Sequence, residues 1–303
     1  MSAAGGPWPR ISIVTPSYNQ AAYLESALCS VLEQGYPDLE LFVLDGGSTD
    51  GSLEILKRLG DELNYWESVP DEGQSHAIEK GMSRATGVLV NWLNSDDLML
   101  PGALFRVARA YLESRADVIV GEDLHFEVSP EEPVFRFRPL GYSFPACLRF
   151  WDGGFRYHQP CTFVTRALYQ RVGGVDRTLH YVMDYDLYCR MLAIPGVKTE
   201  IIAEPLTAFR LHPSSKTRTK KREFLEEQAR VSRRYWAQAG FDEGRELAGL
   251  RRYRSHCAAH RLAESVRRGD LLEAARCACE AASSPSGAMT AVLGAARRRR
   301  NPT

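Results

Sequence analysis

The sequence predicts an α/β fold, a mostly parallel sheet flanked by helices, with an α-helical appendage at the C-terminal end. Two observations predict the sheet. Between residues 11 and 114, short apolar runs alternate four times with stretches of helical periodicity, and strand-helix alternation of this kind lays strands parallel beneath covering helices. Each run also ends in a polar turn, and in an open α/β sheet such ends share one edge, where ligands bind. A third observation predicts the appendage: from about residue 219 the composition turns charged, alanine-rich and purely helical in its spacing.

The elements follow in order. Residues 11–14 read as a buried strand closed by Thr15-Pro16-Ser17-Tyr18-Asn19, and Tyr23, Leu24, Ala27, Leu28, Val31 and Leu32 then recur at helical spacing until Gly35 and Pro37. A second strand, 39–44, ends in Asp45-Gly46-Gly47-Ser48-Thr49-Asp50-Gly51 and leads into a helix carrying Leu53, Ile55, Leu56 and Leu59. The third, 64–69, ends in Pro70-Asp71-Glu72-Gly73-Gln74 before a helix over 75–84. The fourth, 88–93, runs into Asn94-Ser95-Asp96-Asp97, with a helix expected from Pro101 to about Ser114.

Paired acids at the end of a buried strand have two readings. Either they hold a cation, or one of them caps the helix that Pro101 opens. Convergence weighs toward the first: Asp45, Asp50, Asp71, Asp96 and Asp97 on one edge would repel one another without a cation or a donor-rich ligand. Neither GxGxxG nor GxxxxGK[ST] occurs, so the usual dinucleotide and P-loop cradles are missing.

Further along, 118–120 reads as a strand, and 125–128 with 134–137 as a hairpin around Ser129-Pro130-Glu131-Glu132-Pro133. The stretch 139–157 is rich in aromatics, either a core under a long loop or a wall for a sugar. His158-Gln159-Pro160 precedes a strand at 161–164, and Gly173-Gly174-Val175-Asp176 leads to Met183-Asp184-Tyr185-Asp186-Leu187 at the start of a helix. Asp184 and Asp186 sit in its first turn, where the helix dipole favours negative charge; capping is the plain alternative. After a late strand at 197–203 comes His212, a structural histidine or a metal ligand.

In the appendage, Phe224, Leu225, Gln228, Val231 and Tyr235 line one helix face, and Leu262, Val266, Leu271, Leu272 and Ala275 suggest a second pair broken at Gly269-Asp270. Arg297-Arg298-Arg299-Arg300 is either a solvated tail or an anchor for anionic lipid headgroups. The net charge of zero creates no global field for nucleic acid. Seven cysteines, odd in number and without CxxC spacing, suggest free thiols. With no apolar signal core and no span-length apolar run, the reading is a cytoplasmic protein, with contact at the inner face of the membrane through the basic tail left open.

Taken as an ordered set over roughly residues 10–217, four segments resemble glycosyltransferase family 2, nucleotide-sugar enzymes with a GT-A fold. They are Ser12-Ile13-Val14-Thr15-Pro16-Ser17-Tyr18-Asn19, Val43-Leu44-Asp45-Gly46-Gly47-Ser48-Thr49-Asp50-Gly51, Asn94-Ser95-Asp96-Asp97 and Met183-Asp184-Tyr185-Asp186-Leu187. The resemblance implies a catalytic domain over 1–217 and a helical extension over 218–303. It implies that Thr15, Pro16, Tyr18 and Asp45 embrace the nucleoside, Asp45 accepting from the base imide, with Asp71 near the base or ribose. Asp96 resembles the last acid of the family's DxD motif, holding divalent magnesium or manganese against the pyrophosphate, and Asp97 supports the turn. Asp184 resembles the catalytic base, and His212 the later histidine that completes the metal shell.

The implied reaction is inverting transfer from a UDP- or dTDP-type sugar donor to a glycan, lipid-linked or small-molecule acceptor, in cell-surface glycan or glycolipid synthesis. One departure stands out: Asn94 occupies a place where many relatives carry an acid. Asn94 can accept from the metal's water or the ribose but brings no charge; magnesium needs only one or two carboxylates. That departure keeps a second reading alive, a non-catalytic sugar-nucleotide binder on the same fold. A phosphohydrolase also uses acids at a strand end, but it needs an aspartyl nucleophile and phosphate-binding Ser/Thr and Lys at later strand ends.

Overall fold

A computed structural model describes residues 7–213, 215–268 and 270–281. They form two compact units, one of residues up to Cys147 with Phe155–Gln228, the other of Leu148–Gly154 with the residues from Ala229 onward. The run Arg297–Arg300 and Gly269 lie outside the described residues.

The first unit opens with β1 (Ile11–Ser17), α1 (Ala21–Leu32), β2 (Leu39–Asp45), α2 (Ser52–Leu59), β3 (Tyr65–Ser68), α3 (Gln74–Met82) and β4 (Leu89–Trp92). These four strands pair in parallel, β1 between β2 and β4, with Ile11 opposite both Leu39 and Leu89. The alternation read from the sequence therefore lays down half the sheet. Ile11, Ile13, Leu41 and Val43 are buried against Leu24, Leu28 and Leu56 from the covering helices. Each such side chain contributes about 1.5–3 kcal/mol by leaving water.

The second half is mixed. It adds β5 (Leu98–Met99), α4 (Ala103–Ser114), β6 (Val118–Phe126), β7 (Phe135–Phe137), α5 (Phe144–Leu148), β8 (Thr162–Thr165), α6 (Arg166–Arg171), α7 (Met183–Leu192), β9 (Thr199–Arg210), α8 (Lys216–Thr219) and α9 (Lys221–Tyr235). The sheet order is β3-β2-β1-β4-β8-β6-β9-β5, with β7 paired to β6 off this path. β8 runs antiparallel to both neighbours, and β6 and β9 run parallel to each other.

Three differences from the sequence reading have physical causes. Strand β6 continues to Phe126, past the apolar run at 118–120, because Glu122 and Asp123 are buried with partners that sequence patterning cannot see: Arg136 for Glu122, Thr207 for Asp123. β5 intervenes between β4 and α4, held by pairing with β9 and by the Met99 N–H donating to Ser30 Oγ at 2.9 Å. α4 then starts at Ala103, and its N-cap is Gly102 at φ 74°, with no side chain capping it. Neither Asp96 nor Asp97 caps that helix.

The second unit is helical, with α9 from Ala229, α10 (Glu243–Arg268) and α11 (Leu271–Ala281). Trp151 packs edge-on to Trp236 and Phe150 to Tyr253, while Arg149 forks onto buried Glu246 at 2.6 and 3.0 Å. The aromatic stretch thus divides. Phe150 and Trp151 serve this unit, whereas Tyr142, Phe155, Tyr157, Tyr185 and Tyr188 pack together in the first. Of the face expected on the last two helices, Val266, Leu271 and Leu272 are exposed, and small residues such as Ala258, Ala259 and Ala281 pack instead. Among the described residues, no helix is long and apolar enough to cross a membrane.

Candidate functional site

The parallel strands bring their ends to one edge. Asp45, the last residue of β2, is 1% exposed. Its Oδ2 accepts from Ser48 N at 2.8 Å, Gly47 N at 3.2 Å and Ser68 Oγ at 2.6 Å, and its Oδ1 accepts from Ser48 Oγ. Gly47 has φ 81°, a left-handed conformation that favours glycine. At Gly46 a Cβ would stand 3.1 Å from Asp71 Oδ2, so glycine lets the two turns close on each other. Asp71 Oδ1 accepts from Gly73 N at 2.7 Å. Thr15 and Pro16 are buried within β1, opposite Val43 and Leu44, while Tyr18 just beyond is 63% exposed. Asp50 has its carboxyl below the ordinary range: its slight burial is outweighed by the Ala21 and Ser52 donors.

At the end of β4, Asn94 is spoken for on both sides. Its Oδ1 accepts from Gln74 Nε2 at 2.8 Å, and its Nδ2 donates to Asp97 Oδ2 at 3.2 Å. Asp97 is fully buried, and its Oδ1 accepts from the Arg210 N–H at 3.1 Å. Burial pushes its carboxyl pKa well up, and the charges of Asp96 and Asp123 push it further. Asp96 points elsewhere: its Oδ2 lies 2.9 Å from Nε2 of His212, which is buried beside the Tyr23 ring. Arg210 Nε donates to the Asp96 carbonyl at 3.1 Å. Lys216 donates to Gln74 Oε1 at 3.2 Å, its pKa lowered by lost solvent against the charge of Asp96.

The antiparallel β8 carries its own start to the same edge, because Gln159 Nε2 donates to the Trp92 carbonyl at 2.6 Å and to Asn91 Oδ1 at 2.8 Å. Next to Gln159, His158 Nδ1 lies 2.7 Å from Oδ2 of the buried Asp123. The charge of His158 reaches Asp184 as well, at the head of α7. Burial raises the Asp184 carboxyl to about 6, against the Tyr185 N–H that donates to it at 2.7 Å. Asp184 does not cap α7, and Asp186 pairs with Arg190 at 2.8 Å one turn on. The free N–H groups before α7 go instead to Glu227 Oε2, which accepts from His180, Tyr181 and Val182 at 2.7–3.2 Å.

One edge therefore gathers Tyr18, Asp45 and Asp71 at the β1–β3 end, and Asn94, Asp96 and His212 at the β4 end. A chain of contacts and fields through Asp97, Asp123 and His158 leads on to Asp184. Sequence reading missed Glu227, Asp123 and Lys216. Glu227 lies 45 residues beyond the backbone it serves, a separation that no local pattern encodes. For Asp123 a signal existed: its carboxylate and His125, two residues apart, share one strand face.

Residues 12–172 match the family described as Glycosyl transferase family 2. An uncharacterized glycosyltransferase of Rickettsia typhi is 28% identical over 223 residues, 70% of this chain and 67% of the relative. TarS residues 1–349 of S. aureus, solved in complex with UDP-GlcNAc, superpose with a TM-score of 0.59 at 14% identity, covering 88% of this chain and 89% of that one. The mannosyltransferase PcManGT from Pyrobaculum calidifontis, solved with GDP-Man and Mn2+, gives 0.53 at 17% identity over 99% and 80% of the two chains. These structural likenesses establish the fold as GT-A. The family match covers more than half the chain and carries the two glycine-turn and acidic-loop segments of the edge just described: this chain belongs to glycosyl transferase family 2.

Proposed function

We propose that the chain moves a sugar from a UDP- or dTDP-type donor to an acceptor hydroxyl with inversion, Asp184 taking the acceptor proton. The observation that carries this reading is the Asp184 carboxyl at the head of α7, raised by burial to about 6, taken together with the Asp96–His212 pair after β4. A general base works best with a pKa near the working pH. Inverting glycoside hydrolysis shows the same logic, one carboxylate activating the nucleophile on the face opposite the leaving group.

The donor set suits a divalent ion. Asp96 offers a carboxylate oxygen and His212 an imidazole nitrogen 2.9 Å apart, while water and phosphate oxygens can supply the remaining positions that magnesium or manganese requires. When bound, the ion supplies positive charge to the departing nucleoside diphosphate. Lys216, beside Asp96, offers a second cation to the same phosphates. Tyr18 presents an exposed ring for the base, Thr15 and Pro16 form the floor beneath it, and Asp71 lies beside the ribose. Asp45 reads the base imide through Oδ1, for which the Ser48 hydroxyl turns away.

UDP-GlcNAc and GDP-Man in the TarS and PcManGT complexes support a nucleotide-sugar donor. The acceptor belongs to cell-surface glycan or glycolipid synthesis, as a glycan, lipid-linked or small-molecule hydroxyl. In this reading residues 1–217 catalyse, residues 218–303 extend the domain, and the protein works in the cytoplasm.

The engagement of Asn94 by Gln74 and Asp97 favours a second reading, a sugar-nucleotide binder without turnover. A coupled assay for nucleoside diphosphate release, run across UDP- and dTDP-sugars with manganese, separates the two. Release by wild type and its loss in Asp184→Asn supports transfer; tight donor binding with no release from either chain supports the binder.

A further inference from the structure

Three ligand-type atoms converge at a point the transfer reading does not use. Asp123 Oδ2 and His125 Nε2 from β6, and His158 Nδ1 from the loop before β8, all lie within 4.8 Å of one another. Asp123 Oδ2 is 2.7 Å from His158 Nδ1 and 3.4 Å from His125 Nε2. Yet all three atoms are buried without a partner in hydrogen-bonding geometry. Asp123 is held below the ordinary carboxylate range by the two imidazoles despite its burial, so the three groups already interact, and a cation is a further centre that all three atoms can reach.

Holding three such atoms in a protein interior outside hydrogen-bonding geometry is unfavourable. A cation between them removes that cost. A tetrahedral zinc ion with arms of about 2.1 Å spaces its ligand atoms about 3.4 Å apart, the separation found between Asp123 and His125. The surroundings match as well. Asp123 is 0% exposed, and its other oxygen accepts from Thr207 Oγ1 at 2.6 Å, an outer bond of the type that fixes a ligating carboxylate. Phe137 and Phe209 pack against both imidazoles, with ring centroids 4.8–6.5 Å away.

We propose that Asp123, His125 and His158 form a site for a zinc-type divalent ion, separate in its residues from Asp96 and His212 and independent of the transfer reading. Two imidazoles and one carboxylate select borderline transition ions over magnesium. Three protein ligands leave a fourth position open to water or a ligand oxygen.

Zinc alone, added to the full chain after dialysis against chelator, is the probe, followed by calorimetry and elemental analysis. The background carries Asp96→Ala and His256→Ala, because His256 and His260 stand one turn apart on α10 and can also hold zinc. In that background a single zinc ion per chain is expected. His158→Gln or His125→Asn should lose it or weaken it more than about 100-fold, and Thr207→Val, which keeps all three ligands, should weaken it about 10–100-fold. Melting curves without metal verify that each variant folds, and Thr207→Val preserves the test if a histidine variant does not. Absence of zinc uptake by the background chain overturns the site, as does uptake by folded His158→Gln and His125→Asn chains, or by Thr207→Val, at undiminished affinity.

Discussion

Asp45 closes strand β2 and Asp184 opens helix α7, and the protein treats the two carboxyls in opposite ways. Asp45 is buried under four donated hydrogen bonds from the turn it closes and from the end of the next strand. Asp184 accepts only from backbone N–H groups of its own turn, Tyr185's at 2.7 Å among them, and burial lifts its carboxyl to about 6. Asp97 follows Asp184: burial and the charges of Asp96 and Asp123 raise it too. The β1–β3 end thus resembles a finished mould, its carboxylate stabilised by the chain itself. For Asp97 and Asp184 burial outweighs the donors that each of them has, which suits groups whose charge must change or meet a ligand.

The largest test of this contrast is Asp184→Asn. Transfer should fall about 10²–10⁴-fold with donor binding retained, and unchanged turnover would sink the assignment of the base. In wild type, kcat should rise with pH through about 6, because only the carboxylate accepts a proton. The same shift has a stability sign. The folded-state pKa lies above the unfolded value of about 3.9, so the native state holds the extra proton between the two. Stability therefore falls as pH rises from about 4 to about 6, and Asp184→Asn should recover up to roughly 3 kcal/mol at neutral pH but nothing below about pH 4. Thermal melts at both pH values give the answer, and a mutant less stable at neutral pH contradicts it.

Second in size is Asp96→Ala. Calorimetry with nucleotide sugar should show affinity at least about tenfold weaker with manganese present and little change without it; equal affinities in manganese would remove Asp96 from the metal. Asp45→Asn comes next and probes the finished end. Only one acceptor oxygen remains and the other becomes an NH2 donor, so stability at neutral pH should drop by about 1–3 kcal/mol. A mutant that melts with wild type would mean the turn does not depend on the charge.

The smallest expected effect is Glu227→Gln. The amide oxygen can still accept from His180, Tyr181 and Val182, so about 1 kcal/mol of stability and a few-fold in kcat are expected to go. A loss as large as that of Asp184→Asn would make Glu227 a partner in the chemistry rather than the positioning residue of the α7 entry.

By itself the sequence determined the β1–β4 half and the identity of its strand-end residues. Strand and helix periodicities are local there, and each polar turn follows its strand directly. Asp45, Asp71 and Asp96 were legible as strand-end acids for that reason, whereas Asp184, in the first turn of α7, stood out only through the family resemblance. The second half was less so. Strand β6 hides behind Glu122 and Asp123, whose acidity breaks the apolar pattern, and β5 is too short to carry one. Only tertiary structure decided which carboxylates are satisfied, because donors such as Ser68, Thr207 and Glu227's backbone partners come from 23 to 84 residues away. The choice between cap and open ligand at Asn94-Ser95-Asp96-Asp97 fell the same way. β9 draws Leu98 and Met99 into the sheet, Gly102 takes the cap position, and Asp96 is left facing His212. A chain can name its acids in order, but their protonation and partners depend on what folding packs around them.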